Sequence, residues 1–435
     1  MLRSLQIFSK KLTGSISYIR KLTFLTKDYR CDEAWKAQTL FSEINLNDFY
    51  NNIDQNYSTK GLISAVDVDL FANAIKESVH LEELRDLLHK LRLSAETGSM
   101  LDSTHQATIR NFIEFGNVQE LISILKDPLN FGVFLDEYMA NILLDKLISF
   151  SEFELAANVA SLVMLQEDYS NPITTALCQY ACYKYIIGYN KPTEPEVIED
   201  KKKKVEEVKI RVKFLRNHYD DNHFDIKDVN ILSGKTLAWM SDDAFDDVNV
   251  NLQLLGWLAY QKFDELLNVV EKVTNKPTFK FYNEVKIYFK KEVDNVNEEG
   301  NVILKKCLDK LSQSKSANGS LEDAIKIKIE NAINKSQNKD VQNQHQLFLS
   351  WAELRKQKLL EQTNRLDRAK RIEIIDQKQK ALAKEQQKLW FFENEESIDL
   401  QIVEKEKSVT ESTQKKSSSK IDEDYIPPEI LPKRR

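Results

Sequence analysis

Glycine and proline are scarce in this chain. It has ten glycines and eight prolines among 435 residues, whereas average usage predicts roughly 12%, or about 50 residues. β-Sandwiches and propellers need many tight turns, and nucleotide-binding folds need glycine-rich loops, so the scarcity argues against both classes. Hydrophobic residues make up 42% and charged residues 30%. This composition predicts an all-α protein whose long helices have broad solvated faces.

Cysteines and long apolar runs are also few. The four cysteines, Cys31, Cys178, Cys182 and Cys307, are scattered along the chain, which is not the pattern of a disulfide framework. Cys178 and Cys182 are one helical turn apart, but no second pair of ligands lies near them in the sequence. We expect them to be reduced core cysteines. No run approaches the ~18 apolar residues that cross a bilayer, so no membrane span is expected.

Catalytic motifs are missing as well. Gly234-Lys235-Thr236 resembles the end of a phosphate loop, but Val229 stands where that motif needs its first glycine. His218 and His223 are five residues apart, which misses one face of a helix, and a polar surface loop explains them better than a metal site. None of the six histidines falls in a nucleophile or metalloprotease motif. The sequence therefore predicts no enzyme, no cofactor, no metal and no small-molecule substrate.

Acidic residues are absent from the first 27 residues, which contain six basic residues and seven serines or threonines. Apolar residues recur there at spacings of three and four, so a helix would have one apolar face: Leu5, Phe8, Leu12, Ile16 and Ile19. Basic, amphipathic, hydroxyl-rich segments without acids are typical of mitochondrial presequences. We assign residues 1–30 to a presequence that directs import into the matrix. The alternative is a basic N-terminal helix that stays attached.

An internal repeat organises the middle of the chain. When residues 103–137 are aligned with 138–172, all eight apolar positions are apolar in both copies, from Ile109 on Leu144 to Leu125 on Ala160. Each copy contains two helical stripes separated by a short polar break, so each is a helical hairpin that must stack on its neighbours. Weaker copies precede and follow. We predict repeats over residues 31–190 and an intermediate helical region over 191–311 that continues the solenoid.

The C-terminal third changes character after a linker at residues 312–320. Residues 321–407 are rich in Lys, Glu, Gln and Arg and contain no glycine or proline, which predicts a charged helical arm that docks on another surface. Residues 408–435 form a tail that is predicted to be disordered until it docks. Candidate partner-docking anchors are Trp390, Phe391, Phe392, Tyr425, Ile426, Ile430 and Leu431. The aromatic cluster has an alternative role in packing within the chain's own helices.

The 35-residue hairpin resembles the pentatricopeptide repeat. The turn Glu114-Phe115-Gly116-Asn117-Val118 and the closing stretch Asn130-Phe131-Gly132-Val133-Phe134-Leu135-Asp136 carry this resemblance. Such repeats contact single-stranded RNA through two positions each, one in the first helix and one that closes the unit. Carried onto this chain, the resemblance implies RNA binding by two pairs of residues: Gln106 with Asp136, and Asn141 with Asn171.

The order of features is similar to that of the pentatricopeptide-repeat component of the animal mitochondrial small ribosomal subunit. This resemblance implies a structural role in mitochondrial translation. The implied partners are small-subunit ribosomal proteins and small-subunit ribosomal RNA, with tRNA as a further candidate. Two alternatives stay open from the sequence: a free RNA-binding regulator of mitochondrial transcripts, and an assembly adaptor without RNA. The mature chain is acidic, with 56 basic and 68 acidic residues after residue 27, which favours a protein that mostly binds other proteins.

Overall fold

A computed structural model describes residues 23–36, 44–189, 226, 228–242, 246–274, 279–293, 298–312, 315–317 and 319–417. The chain divides into two compact units, residues 1–355 and 356–435. The expected all-α fold is confirmed, because the described residues are overwhelmingly helical. The first unit also holds two short parallel strands, β1 (Lys280–Phe281) and β2 (Lys315–Ser316).

The first unit contains fourteen described α-helices that precede the long C-terminal ones. After a 3₁₀ turn at Lys27–Arg30 they are α1 (Asp32–Lys36), α2 (Leu46–Lys60), α3 (Ala65–Ala74), α4 (Leu81–Leu93), α5 (Asp102–Phe115), α6 (Val118–Leu125), α7 (Glu137–Ser149), α8 (Phe153–Leu165), α9 (Pro172–Gly188), α10 (Val229–Trp239), α11 (Asp247–Tyr260), α12 (Phe263–Thr274), α13 (Asn283–Val293) and α14 (Glu298–Ser312).

These helices pack as successive hairpins. The first helices of neighbouring hairpins contact one another in chain order, α3 with α5, α5 with α7, α7 with α9, and α9 with α11. We call these five helices the first-helix row. Their partners pack in a second layer, in which α6 contacts α8 and α8 contacts α10. The fold is therefore a helical repeat in which each hairpin is covered by the next.

The apolar stripes of the sequence repeat form the core. Six of the eight paired positions are buried in both copies, from Ile109 with Leu144 to Leu125 with Ala160. The two exceptions lie at the turn: Phe115 and Phe150 are 36% and 51% exposed, and Val118 and Phe153 are half-buried. Side-chain caps begin the helices, because the oxygens of Asn117 and Asp136 accept hydrogen bonds from backbone N–H groups in the first turns of α6 and α7.

A close helix crossing explains two of the few glycines. A Cβ atom on Gly234 in α10 would lie 2.7 Å from the backbone nitrogen of Tyr260 at the end of α11, and Gly256 faces the backbone of Ala238 in the same way. Any larger residue would push the two backbones apart. Gly234 thus lies inside a helix, together with Lys235 and Thr236, and serves helix packing rather than a phosphate loop.

Helix α15 is the longest element, Leu321–Glu393 (73 residues), and is followed by α16, Glu395–Ser417. Its first 35 residues, 321–355, belong to the first unit, and we call them the docked segment. Leu321, Ile325, Ile329 and Ile333 of this segment are buried in the same core as the repeats. The part of the predicted arm that ends at residue 355 therefore packs on the chain's own helices. None of the described helices is long and apolar enough to cross a membrane.

Candidate functional site

The first-helix row presents the same position in three successive hairpins. Five residues after the N-cap of α3, α5 and α7 stand Asp69, Gln106 and Asn141. All three side chains are buried, with at most 4% exposure. Buried polar groups need partners, because an unpaired one costs about 1–3 kcal/mol. The docked segment and residues 23–36 at the N-terminus supply partners to all three.

Gln106 contacts both its predicted RNA-binding companion and the docked segment. Its amide Nε2 donates to Oδ2 of Asp136 at 2.5 Å. The side-chain amides of Gln106 and Gln344 exchange two hydrogen bonds, of 2.8 and 3.2 Å, and Gln344 is 2% exposed. Asp136 also caps α7, since its Oδ1 accepts from the N–H of Met139 at 3.1 Å. The first predicted pair is therefore brought together and bound to the chain's own helix.

The second predicted pair is joined through two other residues. Asn141 Nδ2 donates to the hydroxyl of Tyr29 at 2.9 Å, and that hydroxyl donates to Oδ2 of Asp340 at 3.2 Å. Asn171 Nδ2 donates to the same carboxylate oxygen at 3.0 Å. Asp340 in the docked segment thus bridges the two residues. RNA binding by these four positions stays a prediction, and it applies to a form in which these contacts are released.

A buried ion pair fixes the end of the docked segment. Arg355 Nε donates to Oδ2 of Asp69 at 2.6 Å, and the two side chains are 3% and 0% exposed. The other carboxylate oxygen of Asp69 accepts hydrogen bonds from Ser103, Thr104 and Asn73 at 2.5, 2.9 and 3.0 Å. Both oxygens of the carboxylate thus accept hydrogen bonds, and a buried charge pair is tolerated when such bonds accompany it.

The docked segment runs antiparallel to the order of the hairpins. Its last residue, Arg355, contacts α3, and Gln344 contacts α5. At its start, Lys328 donates to Gln179 of α9 at 2.6 Å and also bonds Asn249 of α11, and Glu322 pairs with Lys184 of α9 at 3.1 Å. One helix therefore follows the row from α11 to α3, along the positions that the resemblance assigns to RNA.

Residues 23–36 form the second occupant of the row. The backbone N–H of Phe24 donates to Oδ1 of Asp145 at 2.7 Å, and Tyr29 is fully buried against Tyr138 with ring centroids 5.1 Å apart. Arg110 bonds the carbonyl of Arg30 and pairs with Asp32. The predicted presequence range, 1–30, therefore ends among residues that pack in the core, while residues 1–22 lie outside the described part of the chain.

Burial shifts the ionisation of several groups along the row. Burial raises the pKa of Asp136 to about 6, against hydrogen bonds from Gln106 and Met139 that lower it. Burial also raises the pKa of Tyr29 far above its ordinary value. The pKa of Lys328 falls to about 8 because its ammonium group is buried. All three shifts have the same physical cause, the desolvation of groups that lie between the row and the segments packed on it.

The predicted docking anchors fall in the second unit. Trp390 is 57% and Phe392 72% exposed near the end of α15, so the aromatic pair is accessible. The side chain of Phe391 and the anchors Tyr425, Ile426, Ile430 and Leu431 lie outside the described residues. Among the described residues, no three His, Cys, Asp or Glu side chains gather where they could hold a metal ion. Cys178 and Cys182 are buried in α9, and burial raises the pKa of Cys182 to about 12.

Sequence reasoning missed the residues that fill the row. Asp69 could have been found, because the weaker repeat copy at an offset of 37 aligns it with Gln106. The four-residue spacing of Ile325, Ile329 and Ile333 is a helical apolar stripe that signals burial. Nothing in the local sequence of Tyr29 or Arg355 indicates a partner, since each bonds a residue more than 100 positions away.

A known protein family matches most of this chain. The family described as mitochondrial 28S ribosomal protein S27 matches residues 1–385, which includes the repeats, the docked segment and most of the rest of α15. Membership in this family implies a protein of the mitochondrial small ribosomal subunit with a structural, non-enzymatic role. It also implies mitochondrial localisation. A match over more than half of the chain establishes that this protein belongs to the mitochondrial 28S ribosomal protein S27 family.

Proposed function

We propose that this protein is a structural component of the mitochondrial small ribosomal subunit and supports translation by contacting neighbouring ribosomal proteins and ribosomal RNA. The family match over residues 1–385 carries this proposal. The filled first-helix row supports it, because bonds within the first unit already occupy the positions that a single strand would use. A free regulator of transcripts would need the row open to a single strand.

We also propose where the protein acts and which residues hold it in the ribosomal particle. Residues 1–27 direct import into the matrix, and Trp390, Phe391, Phe392 and the tail from Tyr425 to Leu431 dock on neighbouring ribosomal proteins. The exposure of Trp390 and Phe392 supports this docking, because large exposed aromatic residues are enriched at protein interfaces. Contact with tRNA is a secondary part of the proposal.

Sedimentation of detergent-lysed mitochondria tests the proposal. A density gradient is probed for this chain together with markers of the small and large subunits. We expect co-migration with the small subunit, which persists after low magnesium separates the subunits. A light species that ribonuclease shifts would support the free regulator instead, and a light species indifferent to ribonuclease would support the adaptor. Deletion of Tyr425–Arg435, compared with Trp390→Ala/Phe392→Ala, then tests which anchors hold the protein in the particle.

A further inference from the structure

We propose that the RNA-binding surface of this chain is the exposed basic stretch at residues 356–388 of α15, and that it binds the phosphate backbone of double-helical RNA. The inference rests on the proposed function, because it identifies the surface through which a ribosomal protein of this family would contact ribosomal RNA. Three observations support it: the repeat positions are occupied, positive charge is clustered in this stretch, and its basic side chains are exposed.

The positions that would bind a single strand are occupied. Gln106 and Asn171 bond to Gln344 and Asp340 of the docked segment, and Asn141 bonds to Tyr29. RNA would have to replace these bonds and separate the buried pair of Asp69 with Arg355. The first-helix row is therefore a poor surface for RNA in the folded chain, and a contact with RNA needs a different one.

The positive charge of α15 lies outside the first unit. Residues 23–355 contain 39 basic and 52 acidic residues, a net charge of −13. Residues 356–388 contain ten basic and five acidic residues, a net charge of +5 in 33 residues. Residues 389–411 return to −5, with two basic and seven acidic residues. Phosphate binding depends on clustered positive charge, so among the residues that the structure describes 356–388 is the stretch that complements RNA; the basic residues of 201–216 lie outside that part of the chain.

The two parts of α15 differ in the way this assignment requires. The docked segment has five basic and five acidic residues and is neutral. In the basic stretch, by contrast, all ten Lys and Arg side chains are exposed. A surface ion pair between Lys358 and Glu361, at 3.3 Å, is a weak competitor because exposed pairs contribute about 0–1 kcal/mol. The excess charge is thus available to a polyanion.

The residue types indicate which nucleic acid fits. Residues 356–388 contain no Phe, Tyr, Trp or His, whereas single-strand binding normally uses aromatic side chains on which bases stack. Double-helical RNA is bound mainly through its shape and its phosphates. A straight helix of 33 residues is about 50 Å long, which lets it follow a duplex over more than one groove.

An anionic membrane surface is the competing polyanion, and the apolar residues argue against it. A helix that lies on a membrane needs one continuous apolar face. Ile372 and Ile375 are exposed and lie about 60° apart at 100° per residue, but the exposed Ile374 points away from both and Arg368 projects between them. They do not form such a face, so we favour RNA and use vesicles as a control.

The test compares two full-length variants that remove the same charge. The first replaces Arg368, Lys370, Arg371, Lys378 and Lys380 by Gln, which has a similar helix propensity and keeps the helix intact. The control replaces five exposed lysines of the first unit by Gln: Lys60, Lys76, Lys272, Lys290 and Lys305. Binding of a fluorescent 24-base-pair RNA duplex is measured by anisotropy between 50 and 200 mM KCl, and circular dichroism checks that both variants are folded.

We expect the wild type and the control to bind with log K falling against log salt with a slope of about −4.5, as five neutralised phosphates predict. The first variant should lose on the order of 30-fold in affinity and most of that slope. Equal binding by the two variants would overturn the assignment. So would preferential binding of the wild type to vesicles of phosphatidylserine and phosphatidylcholine over the duplex. The gradient experiment separates these failures, because co-migration with the small subunit tests the proposed function without reference to this surface.

Discussion

Replacing Arg355 by Met should loosen the end of the docked segment. Asp69 is fully buried and would lose the only cation that bonds it among the described residues, while it keeps hydrogen bonds from Ser103, Thr104 and Asn73. Removing one partner of a buried pair costs about 3–5 kcal/mol, and the remaining donors place this site near the lower end. We therefore expect a loss of about 3 kcal/mol in the free energy that holds residues 344–355 against the row.

Hydrogen exchange of the native protein measures this loss locally. It is preferred to global unfolding because the unfolding of a large chain is not two-state. A change of about 3 kcal/mol corresponds to exchange roughly 100-fold faster for the amides of residues 344–355. Lys356→Met is the matched control, since Lys356 is the exposed neighbour and its loss should leave exchange unchanged. Adding Asp69→Asn to Arg355→Met should restore much of the protection, because no buried charge is left unpaired. Exchange within threefold of the wild type in Arg355→Met would refute the reasoning.

Three further predictions concern the first unit. Leu121→Asp should abolish cooperative thermal unfolding, because it places a charge at a fully buried site. The control Leu129→Asp, at a residue that is 79% exposed, should melt like the wild type. Equal melting curves for the two variants would show that the repeat register is wrong. The raised pKa of Asp136, about 6, means that the folded state binds its proton more tightly than the unfolded state. Its contribution to stability is therefore present below pH 4 and lost as pH rises through 6. Asp136→Asn should accordingly shift the urea midpoint upward at pH 7.5 relative to the wild type and hardly at pH 4, and a shift of the same size at both pH values would contradict this. N-terminal sequencing of the mature protein should find a start at or before Phe24, since Phe24 and Tyr29 are bonded in the core; a start after Tyr29 would show that these contacts are dispensable.

The helical hairpins could be predicted well because residues close together in the sequence specify them. The apolar pairs from Ile109 with Leu144 to Leu125 with Ala160 mark both the period and the buried face, and helix caps such as Asp136 mark the starts. Composition also indicated that α15 is helical. Local patterns of this kind specify which residues are buried, and the structure buries most of them.

The partners of the row could not be predicted in the same way. The docked segment differs from the exposed stretch in net charge, and Ile325, Ile329 and Ile333 mark it as having a buried stripe. Neither feature identifies the surface that the segment covers, which depends on single contacts across the chain, such as Gln344 with Gln106 and Arg355 with Asp69, separated by 238 and 286 residues. The pattern of one sequence does not identify such pairs, because hydrogen-bonding side chains occur everywhere on charged helices.

The pairing of Asp69 with Arg355 also sets an order of events when the chain folds. The two partners are 286 residues apart, so their contact closes a long loop and costs more entropy than the local contacts within a hairpin. The hairpins can therefore form first, while the polar side chains of the first-helix row still have no helix to bond. The folding protein passes through a stage in which its own interior row is open to other strands and polyanions, and it closes only when the docked segment arrives.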